Sequence, residues 1–400
     1  MAVAARVLSV LAGTTVVLGV LHSAIRTVVL PRASQVRMAR IVFWLMRKVF
    51  DLRLRFARSY GSRDRVMALY APLALLALPF AWLAAVIAGS TAIFWGLGVA
   101  SLRDAFTLSG TSITTLGSHP APDLPTTFVA VIEAIVGLGL VALLISYLPS
   151  IYAAFQRREL NVSMLEVRAG DPPWTGALIR RHWTIGWLER SSDLFAEWER
   201  WFADIEETHT SQPALVFFRS PIPGRSWITA AGAVLDSAAV LLSTVEAGPM
   251  PQAQLCLRSG YLALRRIADF YGITYDAAPA PGDPISVERG EFDQLVGELR
   301  QAGVPLVEDL DQAWRDFAGW RVNYDRVLVT IAGFVMAPYA PWSSDRSLPF
   351  RAAKVRLRLP PGGSPWHDRS ALVLAGPRMR AEERDLRGST VLPGPPALPR

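Results

Sequence analysis

The chain of 400 residues contains a single cysteine, Cys256, so no disulfide can close within it and no cysteine-based zinc site can be built from one copy. Histidine is almost as scarce. His22, His119, His182, His209 and His367 stand far apart, and neither an H-E-x-x-H pattern nor a P-loop occurs. Strand-like alternation is rare, no strand–GxGxxG–helix unit is present, and the G-x-G-x-x-A match GLGLVA has no strand before it and lies inside an apolar run. Nothing here marks a catalytic residue, a cofactor or a resident metal. The EETHTS stretch, Glu206, Glu207 and His209 included, reads as a solvated helix end. No enzymatic activity is expected.

Charge is the other shortage. Only 19% of residues are Asp, Glu, Lys or Arg, against about 25% in a typical soluble domain. The deficit is local. No charged residue lies between Arg6 and Arg26 or from Val66 to Leu102, and Glu133 is alone from Leu124 to Gln156. Each window matches or exceeds the roughly 20 residues that cross a hydrocarbon core as helix. The sequence therefore predicts an all-α membrane protein with a soluble remainder. An N-terminal span occupies 1–30, further spans lie near 66–88 and 126–152, and a mostly helical cytoplasmic domain covers 157–347.

The net charge of +7 is concentrated where it bears on topology. Segment 31–65 carries ten Lys/Arg against two Asp, which reads as a cytoplasmic, lipid-facing stretch and not as a nucleic-acid surface. Part of it, with Val42, Phe43, Leu45, Met46, Phe50, Leu52 and Leu54 among the arginines, reads as an amphipathic helix at anionic headgroups. A cleaved signal peptide would leave these arginines outside, so the first helix is read as retained and running outside to inside. The next span returns, and the third ends inside at Arg157 and Arg158. The chain is thus expected to be a multi-pass cell-membrane protein with its C-terminal domain in the cytoplasm.

This topology places SGTSITTLGSHP, Ser109–Pro120, on the outer side between two antiparallel spans. Ser101–Ser112 is too short and polar to cross, and irregular backbone at membrane depth survives only where protein buries it or it lines a watery cavity. Hydroxyls and carbonyls from Thr-Thr-Leu-Gly can replace the hydration shell of a cation. Asp104–Gly117, DAFTLSGTSITTLG, resembles the pore helix and filter of potassium channels: Asp104, Ala105, Ser109, Thr114, Thr115 and Gly117 match in register, with Ser112 and Leu116 as substitutions. The order span, short helix, filter, span agrees over 66–156, with a pore helix near 101–112 and a filter at 114–118. After Gly117 the family has Tyr-Gly-Asp, whereas this chain has Ser118, His119 and Pro120, which puts the outer ion sites and K⁺ over Na⁺ selectivity in question.

The resemblance implies passive conduction of K⁺ or Na⁺, with ligands from Thr114, Thr115, Leu116, Gly117 and Ser118. It also implies a homotetramer, because one loop encloses nothing. Gly137 and Gly139 sit near the middle of the inner span, as gating hinges by resemblance or as close packing points by physics. Pro149, lacking an N–H, predicts a kink or an end to that helix near the cytoplasmic mouth. Asp104, Glu133 and His119 are candidates for filter support or the outer mouth, and Glu133 is expected to meet Ser or Thr hydroxyls or to attract cations. A non-conducting, membrane-anchored sensor or scaffold is the alternative.

In the soluble part, Ser191–Glu207, Arg258–Tyr271, Ser286–Ala302 and Asp309–Met336 carry helical periodicity. The apolar run from Trp227 has Asp236 at its centre and reads as a buried helix, not a fourth span. No ligand of this domain can be named. The Pro-, Arg- and Gly-rich stretch 348–400 reads as a disordered tail.

Overall fold

The computed structural model describes residues 2–28, 37–56, 60–188 and 190–346. The tail at 348–400 and parts of the basic segment, 31–36 and 57–59, lie outside the described residues. Among the described residues the fold is all-helical, with a lone antiparallel bridge between Val245 and Leu306. The chain forms two compact units. The first comprises 1–157 together with 208–219, and the second comprises 158–207 and 220 onward.

In the first unit, α1 (Ala2–Val28) lies along α4 (Tyr70–Leu97). Gly13 and Gly89 make the crossing possible: a Cβ on Gly13 would stand 2.3 Å from the Gly89 carbonyl. Close backbone approach of this kind is how helices associate where surrounding lipid supplies no hydrophobic drive. Polar side chains reinforce it, with Ser9 Oγ donating to the Ala92 carbonyl (2.8 Å) and Trp82 Nε1 to Ser23 Oγ (3.3 Å).

Helix α2 (Arg37–Leu54) packs Val42 and Phe50 inward, the Phe50 ring 5.6 Å from Tyr70. Ile41, Leu45, Val49 and Leu52 form an exposed apolar stripe beside exposed Lys48, whose ammonium lies over Trp44 (5.6 Å). A short helix α3 (Tyr60–Ala68) leads into α4, and α5 (Leu102–Ile113) seats Ala105 and Leu108 against Phe94 and Val99. Helix α6 (Leu124–Ala169) follows; its start is capped by Asp123, which accepts from the Thr126 N–H (2.9 Å). The Thr126 hydroxyl and N–H also lower the Asp123 carboxyl pKa.

Pro149 neither ends nor interrupts α6, which runs on to Ala169. The missing N–H is one among many in a long helix. The adjacent Ser146 and Ser150 hydroxyls donate to the carbonyls of Leu143 (2.9 Å) and Tyr147 (2.8 Å).

Large apolar side chains cover the outside of this unit. Phe80, Phe128, Ile135, Leu138 and Ile145 are all exposed. Burying such a side chain is worth about 1.5–3 kcal/mol, so a surface of this kind is stable in hydrocarbon and not in water. Among the described residues, four helices are long and apolar enough to cross a membrane, an arrangement compatible with a multi-pass membrane protein.

The fourth of these, α9 (Trp227–Thr244), differs from the rest. It is 94% buried inside the protein, against 11%, 39% and 17% for the other three. In the second unit α7 (Thr175–Thr184), α10 (Pro251–Tyr271), α12 (Leu310–Arg321) and α13 (Asp325–Phe334) pack around it. Helix α8 (Ser191–Ser211) buries Leu194, Trp198, Trp201 and Phe202, and α11 (Arg289–Gln301) stacks Phe292 on Phe317 (5.3 Å). The single helical segment expected over Asp309–Met336 is in fact two. Asn323 Nδ2 donates to the carbonyls of Gly319 and Trp320 (3.1 Å each) and so terminates α12.

Asp236, at the centre of α9, meets the fully buried guanidinium of Arg321 and accepts from Tyr324 OH (2.7 Å). Arg321 also bonds Asp325 (2.8 Å) and the Trp342 carbonyl, and Asp325 accepts from the Ser286 N–H and hydroxyl. Burial alone would lower the Arg321 pKa, but Asp236 and Asp325 outweigh it and hold the group above its ordinary value. Replacing Arg321 with Met should strand two buried carboxylates and cost about 3–5 kcal/mol, read from the denaturant midpoint of the full chain in detergent. A midpoint equal to wild type would contradict this account.

His182 provides a pH test. It is 3% exposed, with Nδ1 3.3 Å from Ser191 Oγ, and its pKa is pushed down to about 4 by burial and then by Arg168. Unfolded, the side chain takes its proton near 6.5. Between those values the unfolded chain binds more protons, so stability should fall as pH drops from 6.5 towards 4 and stay level above. The loss should reach at most roughly 3 kcal/mol, and His182→Gln should flatten that part of a stability–pH curve.

Candidate functional site

The stretch singled out in the sequence forms the end of α5 and the turn beyond it. Ser101 caps the helix, accepting from the Asp104 N–H (3.1 Å) and donating to the Asp104 carboxylate (2.7 Å). Asp104 therefore belongs to the start of α5, where a negative charge suits the helix dipole, and is turned to Ser101. One turn before the far end, Ser109 Oγ lies 2.5 Å from Glu133 Oε1 on α6 and 3.3 Å from the Ile87 carbonyl on α4. Its one proton goes to the shorter contact. Glu133 is 3% exposed, the buried Ser90 lies beside it, and its Oε2 has no hydrogen-bond partner among the described residues. Three helices thus meet at one serine.

Helix α5 ends in a Schellman motif. Leu116 N–H reaches back to the Thr111 carbonyl (2.9 Å) and Thr115 N–H to that of Ser112 (2.9 Å). The residue in the left-handed position is Thr115, with φ 58°, where glycine is usual. A β-branched residue at positive φ is a strained outlier, and strain of this kind collects at functional segments. Gly117 is also left-handed, φ 61°, and its N–H shares the Thr111 carbonyl (3.3 Å).

These bonds orient the backbone. In a planar trans peptide the C=O points opposite to the N–H that follows it. Because the Leu116 and Gly117 N–H groups both turn to Thr111, the carbonyls of Thr115 and Leu116 both turn away from α5. Residues 114–118 are exposed, and Leu116 is 72% exposed despite its apolar side chain. The hydroxyls of Thr114 and Thr115 donate to the carbonyls of Gly110 (2.6 Å) and Thr114 (2.7 Å). The arrangement offers two neighbouring carbonyl dipoles to the outside, which suits a cation and not an anion.

The two inner-helix glycines have different surroundings. A Cβ on Gly137 would stand 2.5 Å from the Ile113 carbonyl, so this glycine lets the end of α5 press against α6. Gly139 is exposed and faces open space. His119 is half-buried just past the turn, and neither it nor Pro149 is brought to the Ser109–Glu133 contact. Sequence reasoning did not single out Ser90 or the Ile87 carbonyl. The available signal was a hydroxyl inside an uncharged run, which must find a partner there.

The chain matches no family model, no curated protein and no solved structure in comparisons with each. Its functional reading therefore rests on the site alone.

Ser109→Ala leaves neither Glu133 oxygen bonded to a side chain of α5, whereas Glu133→Gln keeps an acceptor for the serine. The alanine variant should lose about 1–3 kcal/mol in thermal or denaturant unfolding in detergent, and the glutamine variant clearly less. Equal losses would show that the contact does not carry the packing of α5.

Proposed function

We propose that this chain is one subunit of a homotetrameric, potassium-channel-like pore that conducts monovalent cations passively across the cell membrane. The observation that carries the reading is the turn after α5, in which the successive carbonyls of Thr115 and Leu116 face away from that helix. One copy supplies only part of a coordination shell, and copies arranged around an axis complete it. Partly dehydrated K⁺ or Na⁺ then exchanges water for main-chain and threonine oxygens.

In this reading the ligands come from residues 114–118, and the Ser109–Glu133 contact braces the short helix that presents them. Asp104 and His119 flank the outer mouth. Movement of α6 around the uncovered Gly139 opens the conduction path, and the residues beyond 157 lie in the cytoplasm and bias that movement. The cationic and apolar faces of α2 rest on anionic headgroups. Discrimination between K⁺ and Na⁺ is weak, because Ser118-His119-Pro120 replaces the residues that complete the outer sites of the family it resembles.

Liposomes containing the protein should pass K⁺, and Gly117→Val should abolish the flux. Valine at φ 61° is strained and would displace the carbonyls around it. Flux equal in the two would reject conduction through this turn, and flux no greater than in empty liposomes, or a monomer or dimer in mild detergent, would favour the non-conducting sensor or scaffold.

A further inference from the structure

The segment Thr208–Arg219 belongs to the first unit, although the chain enters it from Glu207 and leaves it at Ser220, both in the second. It carries the end of α8 and a 3-10 turn, Pro213–Phe217, whose Ala214, Leu215 and Val216 are buried. On one side Arg219 pairs with Asp64 of α3, their side chains only 11% and 14% exposed, and Phe217 packs edge-on against Tyr70 at the start of α4 (5.4 Å). On the other side Phe218 packs against Tyr152 (6.0 Å) and Phe155 (5.5 Å) of α6, and Gln212 Nε2 donates to Ser150 Oγ (3.2 Å).

The contacts on α6 all fall within the six positions that follow Pro149, and those on the other side fall at the foot of α4. We infer that Thr208–Arg219 is a strap that fixes the part of α6 just past Pro149 to the base of α4, and that α6 moves there only when the strap yields. Pro149 supplies the reason for the location. Without its N–H the otherwise continuous helix has one backbone bond fewer at that level, and a side clamp just beyond it steadies that level. Adjacent Phe217 and Phe218 hold one helix each, so a pull on either flank of the strap reaches both. The clamp itself is independent of what the first unit does; its part in gating rests on the pore reading.

The test uses the full chain in lipid nanodiscs. Spin labels are placed at Leu69→Cys and Ala153→Cys, both exposed sites, with buried Cys256 changed to Ala. Labelled chains are diluted into unlabelled ones so that the distance within one chain is read. The wild-type background should give one narrow distance. Arg219→Asp, which sets two carboxylates together, should broaden it at least about twofold, and Asp64→Arg combined with Arg219→Asp should restore it.

A distance that stays narrow in Arg219→Asp overturns the strap. If that single variant does not fold, the swapped pair decides: a folded pair with the wild-type distance supports the strap, and a pair as unstable as the single variant overturns it. K⁺ flux from the same variants separates the two claims. Arg219→Asp should raise flux roughly threefold or more, with the swap returning it. Wild-type flux with unaltered distances sinks the strap and leaves the pore. Altered distances with no flux in any variant sink the pore and leave the strap.

Discussion

Backbone hydrogen bonds that must be completed without water govern the first unit. Its helices satisfy this constraint internally, which is why glycines at a crossing and hydroxyls reaching carbonyls recur along its apolar runs. The turn after α5 is the place where the helical solution stops. There the Thr111 carbonyl takes two N–H groups, and the carbonyls left over face outward. The Schellman closure creates that surplus of acceptors at the cost of a left-handed threonine.

The same constraint accounts for the acid in α6. A carboxyl group in an apolar helix must find a donor, and Ser109 is placed to be one because Gly137 lets α5 approach α6 closely. The two glycines of the inner helix are therefore not equivalent. Substituting Gly137 disturbs the packing that positions the turn, while Gly139 has space around it. Of the two roles open for the pair in the sequence, the structure assigns close packing to Gly137, where a Cβ would meet the Ile113 carbonyl.

The second unit solves a different problem. Its apolar helix α9 is enclosed by neighbours, and the charge at its centre is answered by Arg321, Tyr324 and, through Arg321, Asp325. Such a network adds little net stability relative to apolar packing, but it penalises any arrangement that separates its members. It fixes which face of α12 meets α9. Among the described residues of this unit, no group of three or more His, Cys, Asp or Glu stands close enough to hold a metal ion.

Much was readable along the chain. Windows without charge determined helices of membrane length, because a stretch that cannot pair its backbone with water must pair it within itself. Asp236 within an otherwise apolar run pointed to burial, because a charge in such a run needs a partner that lipid does not supply. The local pattern of α5, a Ser cap followed by an acid, also needs only neighbouring residues. Tertiary structure alone decided which serine answers Glu133, that Asn323 divides the segment over Asp309–Met336, that α6 continues through Pro149, and that residues 208–219 return to the first unit. Each of these is a choice among distant partners of similar chemistry. Sequence states what a group requires, whereas the distance between helices settles which neighbour supplies it.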